Sequence, residues 1–196
     1  MIKPGPLTLE GTEVRLPPLS LDHLDGLCAV GLDPELWQWV PTRVLDREQM
    51  RAYVELALDE QRRGVSVPFT TTLKENGQVV GSTRYANISV PDGRLEIGWT
   101  WIGKAWQRSA VNTEAKYLML RHAFETWSCN RVELLTDERN TRSRRAIERL
   151  GAREEGTVRC HMVMRDGFVS NSVLYSLVSA EWPAAEAALR ARLGEA

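Results

Sequence analysis

The chain has 196 residues, 43% of them hydrophobic and 26% charged, and its formal net charge is −1. This length favours one domain, and balanced charges among seven Trp exclude a mainly disordered chain or a general nucleic-acid coat. The sequence contains no apolar run long enough to span a bilayer and no apolar segment of the secretory type at its start. Three Cys without close spacing indicate neither a disulfide framework nor a zinc site, so we expect a cytoplasmic protein that needs no metal.

The first third of the chain predicts one strand and two helices. Residues 13–16 alternate in polarity as a strand does, and two prolines end that strand. Ser20 is placed to cap a short helix. Asp46 begins a longer helix, with Gln49 as the second member of a capping box, and Gly64 ends it.

Three consecutive strands follow over residues 67–73, 78–89 and 94–101, since these segments are rich in β-branched and aromatic residues. Asn76-Gly77 and Pro91-Asp92-Gly93 mark tight turns between them. We therefore predict an antiparallel meander.

The rest of the chain alternates helices and strands. We predict a helix over residues 112–127, a strand over 131–136, a helix over 140–150, strands near 157–164 and 171–178, and a terminal helix beginning at Pro183. The predicted fold class is α/β, with a mixed (α+β) sheet. Its antiparallel meander is followed by a parallel β-α-β unit with a right-handed crossover and by a final antiparallel pair.

Familiar catalytic motifs are missing from the sequence. There is no P-loop, no G-x-G-x-x-G after a strand and no nucleophile elbow. The three His are far apart, and His122 falls on the predicted buried face of its helix, which favours a core residue.

The segment from Leu95 to Lys116 carries the first functional signal. A strand leads into a loop of small residues, and the loop opens a helix whose first N–H groups have no internal partner. Such a helix start accepts a pyrophosphate. The alternative is a plain connection capped by Asn112.

The second signal is Asn140 with Ser143 at the start of the following helix. They lie where a ligand would enter at the carboxyl ends of two parallel strands. Simple helix capping is the alternative. Arg142, Arg145 and Arg149 share a face of this helix, either to meet phosphates or as a solvated basic surface.

Four stretches carry a resemblance to a known family. They are NTEAKYLMLRHAFE from Asn112, the pattern Asn140-x-x-Ser143-x-x-Ala146-Ile147-x-x-Leu150-Gly151-Ala152, SVLYS from Ser172 and EWP from Glu181. By their order and spacing the chain resembles the GNAT superfamily of acyl-CoA-dependent N-acyltransferases, in the branch of the ribosomal-protein N-terminal (Rim-type) acetyltransferases. Residues 8–182 are then expected to form one GNAT-like domain, and residues 183–196 a C-terminal helix.

The resemblance implies that acetyl-CoA is the cosubstrate and lies where the two parallel strands splay apart. Pantetheine would pair with the first strand and face Asn140 and Ser143, and the pyrophosphate would lie on the loop and the helix start. The residues so implied are Thr100, Trp101 and Ile102 for pantetheine, and Gln107, Arg108, Ser109, Ala110, Val111, Asn112 and Thr113 for the pyrophosphate.

The loop departs from the family pattern Gln/Arg-x-x-Gly-x-Gly/Ala at Ala110 and Asn112. Glycine permits left-handed φ values and close approach of the backbone to phosphates, and Asn112 adds bulk. Asn tolerates the left-handed conformation and can cap a helix. A non-catalytic protein that binds coenzyme A or another partner therefore stays open as a second interpretation.

For catalysis, the resemblance implies direct attack of a neutral amine on the thioester in a ternary complex, with a strand N–H stabilising the oxyanion. Ser143 and Tyr175 are the candidates to return a proton to the thiolate, although a capping serine and an ordinary strand tyrosine would look the same. Glu96, in the strand that leads to the site, is the candidate base, unless it simply faces solvent.

The pKa of the acceptor amine narrows its identity. An α-amine, with a pKa of about 7.7–8.0, is roughly a tenth neutral near pH 7, whereas a lysine at about 10.4 is almost wholly protonated. A chain without an evident strong base therefore suits a protein N-terminus. Aminoglycosides, polyamines and amino acids stay open as small acceptors.

Two further expectations concern partners. An RNA-associated module using the basic residues between 139 and 159 is a third interpretation, disfavoured by the acidic residues among them. We expect no membrane and no specific nucleic acid as partner. The clustered tryptophans could line an acceptor cleft or a homodimer contact, or simply pack in the core: Trp37, Trp39, Trp99, Trp101 and Trp106.

Overall fold

A computed structural model describes residues 2–194 as a mixed sheet covered by helices. The strands are β1 (Leu9–Glu10), β2 (Val14–Leu16), β3 (Val67–Leu73), β4 (Val79–Ser89), β5 (Arg94–Ile102), β6 (Arg131–Asp137), β7 (Arg153–Val163) and β8 (Val169–Val178). The α-helices are α1 (Leu24–Gly31), α2 (Arg47–Arg62), α3 (Ala110–Arg121), α4 (Thr141–Glu148) and α5 (Trp182–Leu193). The strand order is β1-β2-β3-β4-β5-β6-β8-β7.

The sheet topology confirms the predicted fold class. Neighbouring strands are antiparallel except β5 and β6, which are parallel and joined through α3. The meander is β3-β4-β5, and the closing antiparallel pair is β7-β8. The two-residue strand β1, which pairs with β2, was not predicted.

Helices cover both faces of the sheet. The Tyr85 hydroxyl of β4 donates to the Met119 carbonyl of α3 at 2.6 Å, whereas the neighbouring Arg84 pairs with Glu60 of α2 at 2.8 Å. Because successive side chains of a strand point to opposite faces, α3 and α2 lie on opposite sides. α5 shares the core of α3, since Trp182 and Leu189 are buried in the same apolar cluster.

Two predicted helix starts are largely confirmed. Ser20 accepts a hydrogen bond from the Asp22 N–H at the start of a 3-10 turn that leads into α1. Asp46 caps α2 by accepting from the Gln49 N–H at 2.8 Å. The capping box is only half formed. The side-chain carbonyl of Gln49 accepts from the backbone N–H of Leu45 instead of the backbone N–H of Asp46.

The predicted start of the next helix, at Asn112, is wrong. α3 begins at Ala110, because Ser109 is its cap and accepts from the Val111 N–H at 3.3 Å. The helix is regular to Arg121 and continues as a π-helical turn, His122–Thr126.

Other predicted boundaries need smaller corrections. β7 and β8 begin earlier than predicted, at Arg153 and Val169, because Arg153 already pairs with Ser176 and Val169 with Val163. α5 ends at Leu193, with Gly194 in the left-handed conformation as its cap. The last two residues of the predicted helix over 183–196 lie outside the described residues, and the domain boundary 8–182 stays a prediction.

Candidate functional site

The candidate site lies where β5 and β6 separate. The two strands pair over three residue pairs, from Arg94↔Arg131 to Glu96↔Glu133, and beyond Glu96 they run on without pairing to each other. At this point the β4–β5 register shifts, and Trp99 takes a positive φ of 49°. Such a bulge bends the strand. The splay that the family resemblance implies is therefore present.

The residues predicted to bind pantetheine lie on the diverging part of β5. β4 pairs with one edge of Trp101 and Ile102, so the peptide groups of the other edge are directed into the splay. Thr100 is exposed there, and the Trp101 indole is buried, donating to the Tyr53 hydroxyl at 3.3 Å. Apart from the Ile102 carbonyl, which accepts from the Gln107 side chain, peptide groups directed in this way fit the amides of pantetheine.

The predicted pyrophosphate loop ends at the N-terminus of α3. Ala110 and Asn112 have helical conformations, and the left-handed residue of the loop is Arg108, with a φ of 65°. The departures from glycine at positions 110 and 112 therefore introduce no backbone strain. The N–H groups of this first turn, next to the small residues Ser109 and Ala110, fit a phosphate.

A hydrogen-bonded bridge crosses the mouth of the splay. The Gln107 side-chain amide donates to the Ile102 carbonyl at 2.9 Å, and its carbonyl accepts from the Arg142 guanidinium at 2.7 Å. The loop after β5 is thereby connected to α4. The sequence did not predict this contact.

Asn140 and Ser143 lie at the start of α4, just after β6, the strand that diverges from β5. Asn140 caps α4 by accepting from the Ser143 N–H at 3.1 Å, so the capping interpretation is confirmed. The Ser143 hydroxyl makes no hydrogen bond within residues 2–194. Capping leaves that hydroxyl available, and its role as an acid stays a prediction.

Glu96 lies at the residue pair where the strands separate. Its side chain is 8% exposed and accepts from the Asn87 amide at 2.7 Å. Burial raises the pKa of this carboxyl, and the Glu133 carboxylate raises it further, against the Asn87 hydrogen bond and the charge of Lys116. Glu96 does not simply face solvent, and its environment is that of a carboxylate able to accept a proton.

A cavity of about 490 Å³ opens on the Glu96 side of the sheet. Besides Glu96, its wall contains Glu133 of β6, His161 of β7 and Leu174 of β8. The His161 ring is hydrogen-bonded to the Ser172 hydroxyl at 2.9 Å. Arg94 also lines the cavity, and Glu133 is paired with Arg94 and Arg131, so Glu96 is the carboxylate of this wall that forms no ion pair within residues 2–194 and that favours a cationic or amine ligand.

Tyr175 lies on the other face of the sheet. Its neighbour Leu174 lines the cavity of Glu96, so alternation along β8 turns the Tyr175 side chain away from that cavity. The hydroxyl accepts from Arg144 at 3.0 Å and also contacts Glu148 and Glu154. Burial raises the pKa of Tyr175. The structure does not bring Tyr175 together with Glu96.

Sequence reasoning missed Lys116, which lies beneath the bulge. It is 5% exposed, and its ammonium donates to the hydroxyls of Thr83, at 3.1 Å, and Thr100. Burial lowers the pKa of Lys116 to about 7, and the charge of Glu96 opposes this effect. The sequence did contain a signal for its burial. Lys116 lies three residues before Met119 and four residues before Leu120, on the apolar face of α3.

The tryptophans divide between the core and the surface around the site. Trp37 and Trp101 pack against each other in the core, with ring centroids 5.6 Å apart. Trp39 and Phe168 both contact the Arg139 guanidinium, which joins the α1–α2 connection to the β7–β8 hairpin. Core packing is confirmed for Trp37 and Trp101, and the acceptor cleft and the homodimer contact stay predictions.

Within residues 2–194, His, Cys, Asp and Glu form no group of three that could hold a metal ion. None of the helices in this part of the chain is long and apolar enough to cross a membrane.

Comparison with known proteins assigns the family. A model described as an acetyltransferase (GNAT) domain matches residues 13–153, so the chain belongs to the GNAT acetyltransferases. It is similar to a solved GCN5-related N-acetyltransferase from Brucella melitensis, with 30% identity and a TM-score of 0.89 over 97% of this chain and 86% of that one. The cosubstrate of this fold is acetyl-CoA.

Two other proteins are similar to this chain, one in sequence and one in fold. YdaF of Bacillus subtilis (strain 168), provisionally named a ribosomal N-acetyltransferase, is 32% identical over 107 residues, which are 55% of this chain and 57% of that protein. RimJ of Mycobacterium smegmatis, solved with CoA-disulfide, shares the fold with a TM-score of 0.80 over 97% of this chain and 94% of that one, at 24% identity.

Proposed function

We propose that this acetyltransferase transfers an acetyl group from acetyl-CoA to the α-amine of a protein N-terminus, by direct attack in a ternary complex in the cytoplasm. The observation that carries this proposal is the buried Glu96 carboxylate, which lines a cavity at the point where β5 and β6 separate. The provisional name of YdaF supports a ribosomal-protein acceptor.

Each residue then has a role at the splay. Acetyl-CoA supplies the acetyl thioester, held by the free edge of Thr100, Trp101 and Ile102 and by the start of α3. Glu96 accepts the proton that the amine loses as its nitrogen bonds to the thioester carbon. Ser143, whose hydroxyl makes no hydrogen bond within residues 2–194, passes a proton from solvent to the thiolate as the carbon–sulfur bond breaks, and Glu96 releases its proton to solvent, so both side chains return to their starting forms.

The raised pKa of Glu96 suits an α-amine as acceptor. A carboxylate whose pKa lies above its ordinary value is a better match for an ammonium of pKa about 7.7–8.0 than for a lysine at about 10.4. A small-molecule amine of similar pKa is the alternative acceptor, since a cavity of about 490 Å³ can also hold a small ligand.

The test compares acceptors directly. Purified protein is incubated with acetyl-CoA and one of two peptides, the first with a free α-amine and no lysine, the second with a blocked α-amine and an internal lysine. We expect thiol release and a mass increase of one acetyl group with the first peptide only. Acetylation of lysine without acetylation of the α-amine would overturn the proposal, and preferential acetylation of an aminoglycoside or polyamine would establish the small-molecule alternative.

A further inference from the structure

Glu96 is held by a side chain that a regular strand would direct away from it. Ala86 pairs with Glu96 in the β4–β5 register, so these two side chains share a face of the sheet, and Asn87 would ordinarily face the other way. A bulge lies between Ala86 and Ser89, and within it Asn87 has a positive φ of 49°. The bulge redirects the Asn87 amide to the Glu96 face, where it donates to Oε2 at 2.7 Å.

The second carboxylate oxygen of Glu96 lies beside Gly98. A Cβ at position 98 would be 2.6 Å from Oε1 of Glu96, so the carboxylate occupies the space that a side chain would fill. Gly98 has no left-handed φ, and the position therefore requires space rather than an unusual conformation. Gly98 lies beyond the last β5–β6 pair, Glu96↔Glu133. The carboxylate is thus turned along β5, toward the part of the strand that leaves β6.

Both arrangements are unfavourable for the sheet alone. A left-handed backbone is uncommon in residues other than glycine, and it persists where the surroundings require it. Glu96 is 8% exposed and forms no ion pair within residues 2–194, so the burial of its carboxylate disfavours folding as well. A β-branched residue at position 96 would suit the strand without a donor or a glycine beside it. Asn87 and Gly98 therefore serve the carboxylate rather than the sheet.

The charged and titratable groups around Glu96 have partners of their own. On its face of the sheet they are Glu133 of β6 with Arg94 and Arg131, Arg84 of β4 with Glu60 of α2, and His161 of β7 with Ser172. Lys116 of α3 lies on the other face, hydrogen-bonded to Thr83 and Thr100. Within residues 2–194, Asn87 is thus the side chain that donates to the Glu96 carboxylate.

We propose that Asn87 and Gly98 are positioning residues for acetyl transfer. Asn87 fixes one oxygen of the Glu96 carboxylate and Gly98 leaves the space for the other, so the base is aimed at the diverging strand. This inference rests on the proposed function only in taking Glu96 as the base and the splay as the place of the thioester. Both residues act through Glu96, and neither is required to touch a substrate.

Gly98→Ala tests the space beside the carboxylate. The three atoms nearest to the added Cβ all belong to the flexible Glu96 side chain, so the variant should fold with the carboxylate moved aside. We expect kcat to fall by about tenfold to a hundredfold with KM for acetyl-CoA unchanged, since a misplacement of about 1 Å can cost that much. Gly5→Ala, whose Cβ would meet nothing within 4 Å, is the matched control and should keep the wild-type kcat. Full kcat in Gly98→Ala would overturn the proposal.

Asn87→Gly tests the hydrogen bond. Glycine keeps the left-handed bulge and removes the donor, and loss of a hydrogen bond to a carboxylate raises its pKa. The acid limb of kcat/KM should therefore move to higher pH by about one unit, which is about a tenfold loss below the limb. Ser128→Gly, at another exposed left-handed residue with a φ of 54°, is the matched control and should keep the wild-type profile. A limb that does not move in Asn87→Gly would contradict a positioning role.

A further readout of Asn87→Gly needs no acceptor. The Glu96 carboxyl carbon is titrated by NMR in the wild type and in the variant, and we expect a higher pKa in the variant even if the acceptor is not an α-amine. The kinetic profiles are measured with whichever amine the comparison of acceptors identifies, so an error in the acceptor class leaves both readouts intact. An equal Glu96 pKa in the two proteins would overturn the proposal, whether or not Gly98→Ala folds.

Discussion

The Gln107 carbonyl accepts a hydrogen bond from the Arg142 guanidinium at 2.7 Å, and this bond connects the loop after β5 to the start of α4. The arginine is thereby held beside the helix start where we place the pyrophosphate. A cation at this position is attracted to the phosphates of acetyl-CoA, whether or not Arg142 keeps its hydrogen bond to Gln107 when the cosubstrate binds.

Arg142→Gln should weaken acetyl-CoA binding by about fivefold to tenfold, a loss that corresponds to about 1–1.4 kcal/mol. Isothermal titration calorimetry at two salt concentrations measures it, and the salt dependence of Kd should decrease along with the affinity. Arg190→Gln on the exposed face of α5 serves as control. An unchanged Kd for Arg142→Gln would place the pyrophosphate elsewhere.

Asn112→Gly should not restore a lost affinity, because Asn112 is helical and needs no left-handed φ. We expect the wild type to bind acetyl-CoA in the micromolar range and the variant to stay within about threefold of it. The glycine should cost only about 0.3 kcal/mol of stability, because asparagine is itself about 0.7 kcal/mol and glycine about 1 kcal/mol less favourable than alanine within a helix. A tenfold gain in affinity would show instead that the asparagine side chain obstructs the loop.

Glu96→Gln should lower kcat by about 10²–10⁴-fold, the range found for loss of a general base, and leave the Kd of acetyl-CoA near its wild-type value. The acid limb of the kcat/KM profile should disappear as well, since the titrating group is gone. Pre-steady-state measurement of thiol release separates this chemical step from product release. A variant with full kcat and the wild-type limb would exclude Glu96 as the base.

Ser143→Ala and Tyr175→Phe distinguish the two candidate acids. The Ser143 hydroxyl makes no hydrogen bond within residues 2–194. Its removal should therefore lower kcat by about tenfold to a hundredfold with little change in stability. The Tyr175 hydroxyl accepts from Arg144 inside the protein, so its removal should cost about 1–2 kcal/mol of unfolding free energy and change kcat less than threefold. The reverse pattern would make Tyr175 the acid.

Glu114→Gln tests a structural role in the same helix. The Glu114 carboxylate accepts from the backbone N–H groups of Thr12, Glu13 and Val14, at 2.6–3.3 Å, and so holds the β1–β2 turn. Hydrogen bonds to a charged group are worth about 1.5–3 kcal/mol, and we expect a loss of roughly that size in urea unfolding with unchanged catalysis. Loss of kcat at full stability would contradict this assignment.

Local patterns were sufficient to predict most of the fold. Asn76-Gly77 and the β-branched segments around it predicted the meander, and Asn140 predicted the start of α4, since turn and cap chemistry acts over a few residues. The start of α3 was missed because Ser109 and Asn112 are both good caps, and only the surrounding loop decides between them.

The site was harder to predict than the fold. The Gln107–Arg142 bridge and the Lys116–Thr100 contact join residues far apart in sequence, and no local pattern encodes them. The role of Glu96 stays a prediction, and its burial and its contact with Asn87 depend on the bulge in β5, which no local sequence pattern predicted. The role of each candidate therefore rests on three-dimensional contacts as well as on the family resemblance.

The parallel strands at the centre of the sheet are joined by only three residue pairs, so each half of the sheet has a free edge facing the other. A substrate that hydrogen-bonds to those edges acts as a missing strand between them, and it adds to the cohesion of the protein as well as to its chemistry. Binding at a hundred times Kd would stabilise the native state by about 2.7 kcal/mol. The supply of acetyl-CoA would then govern the lifetime of the folded protein as well as its turnover.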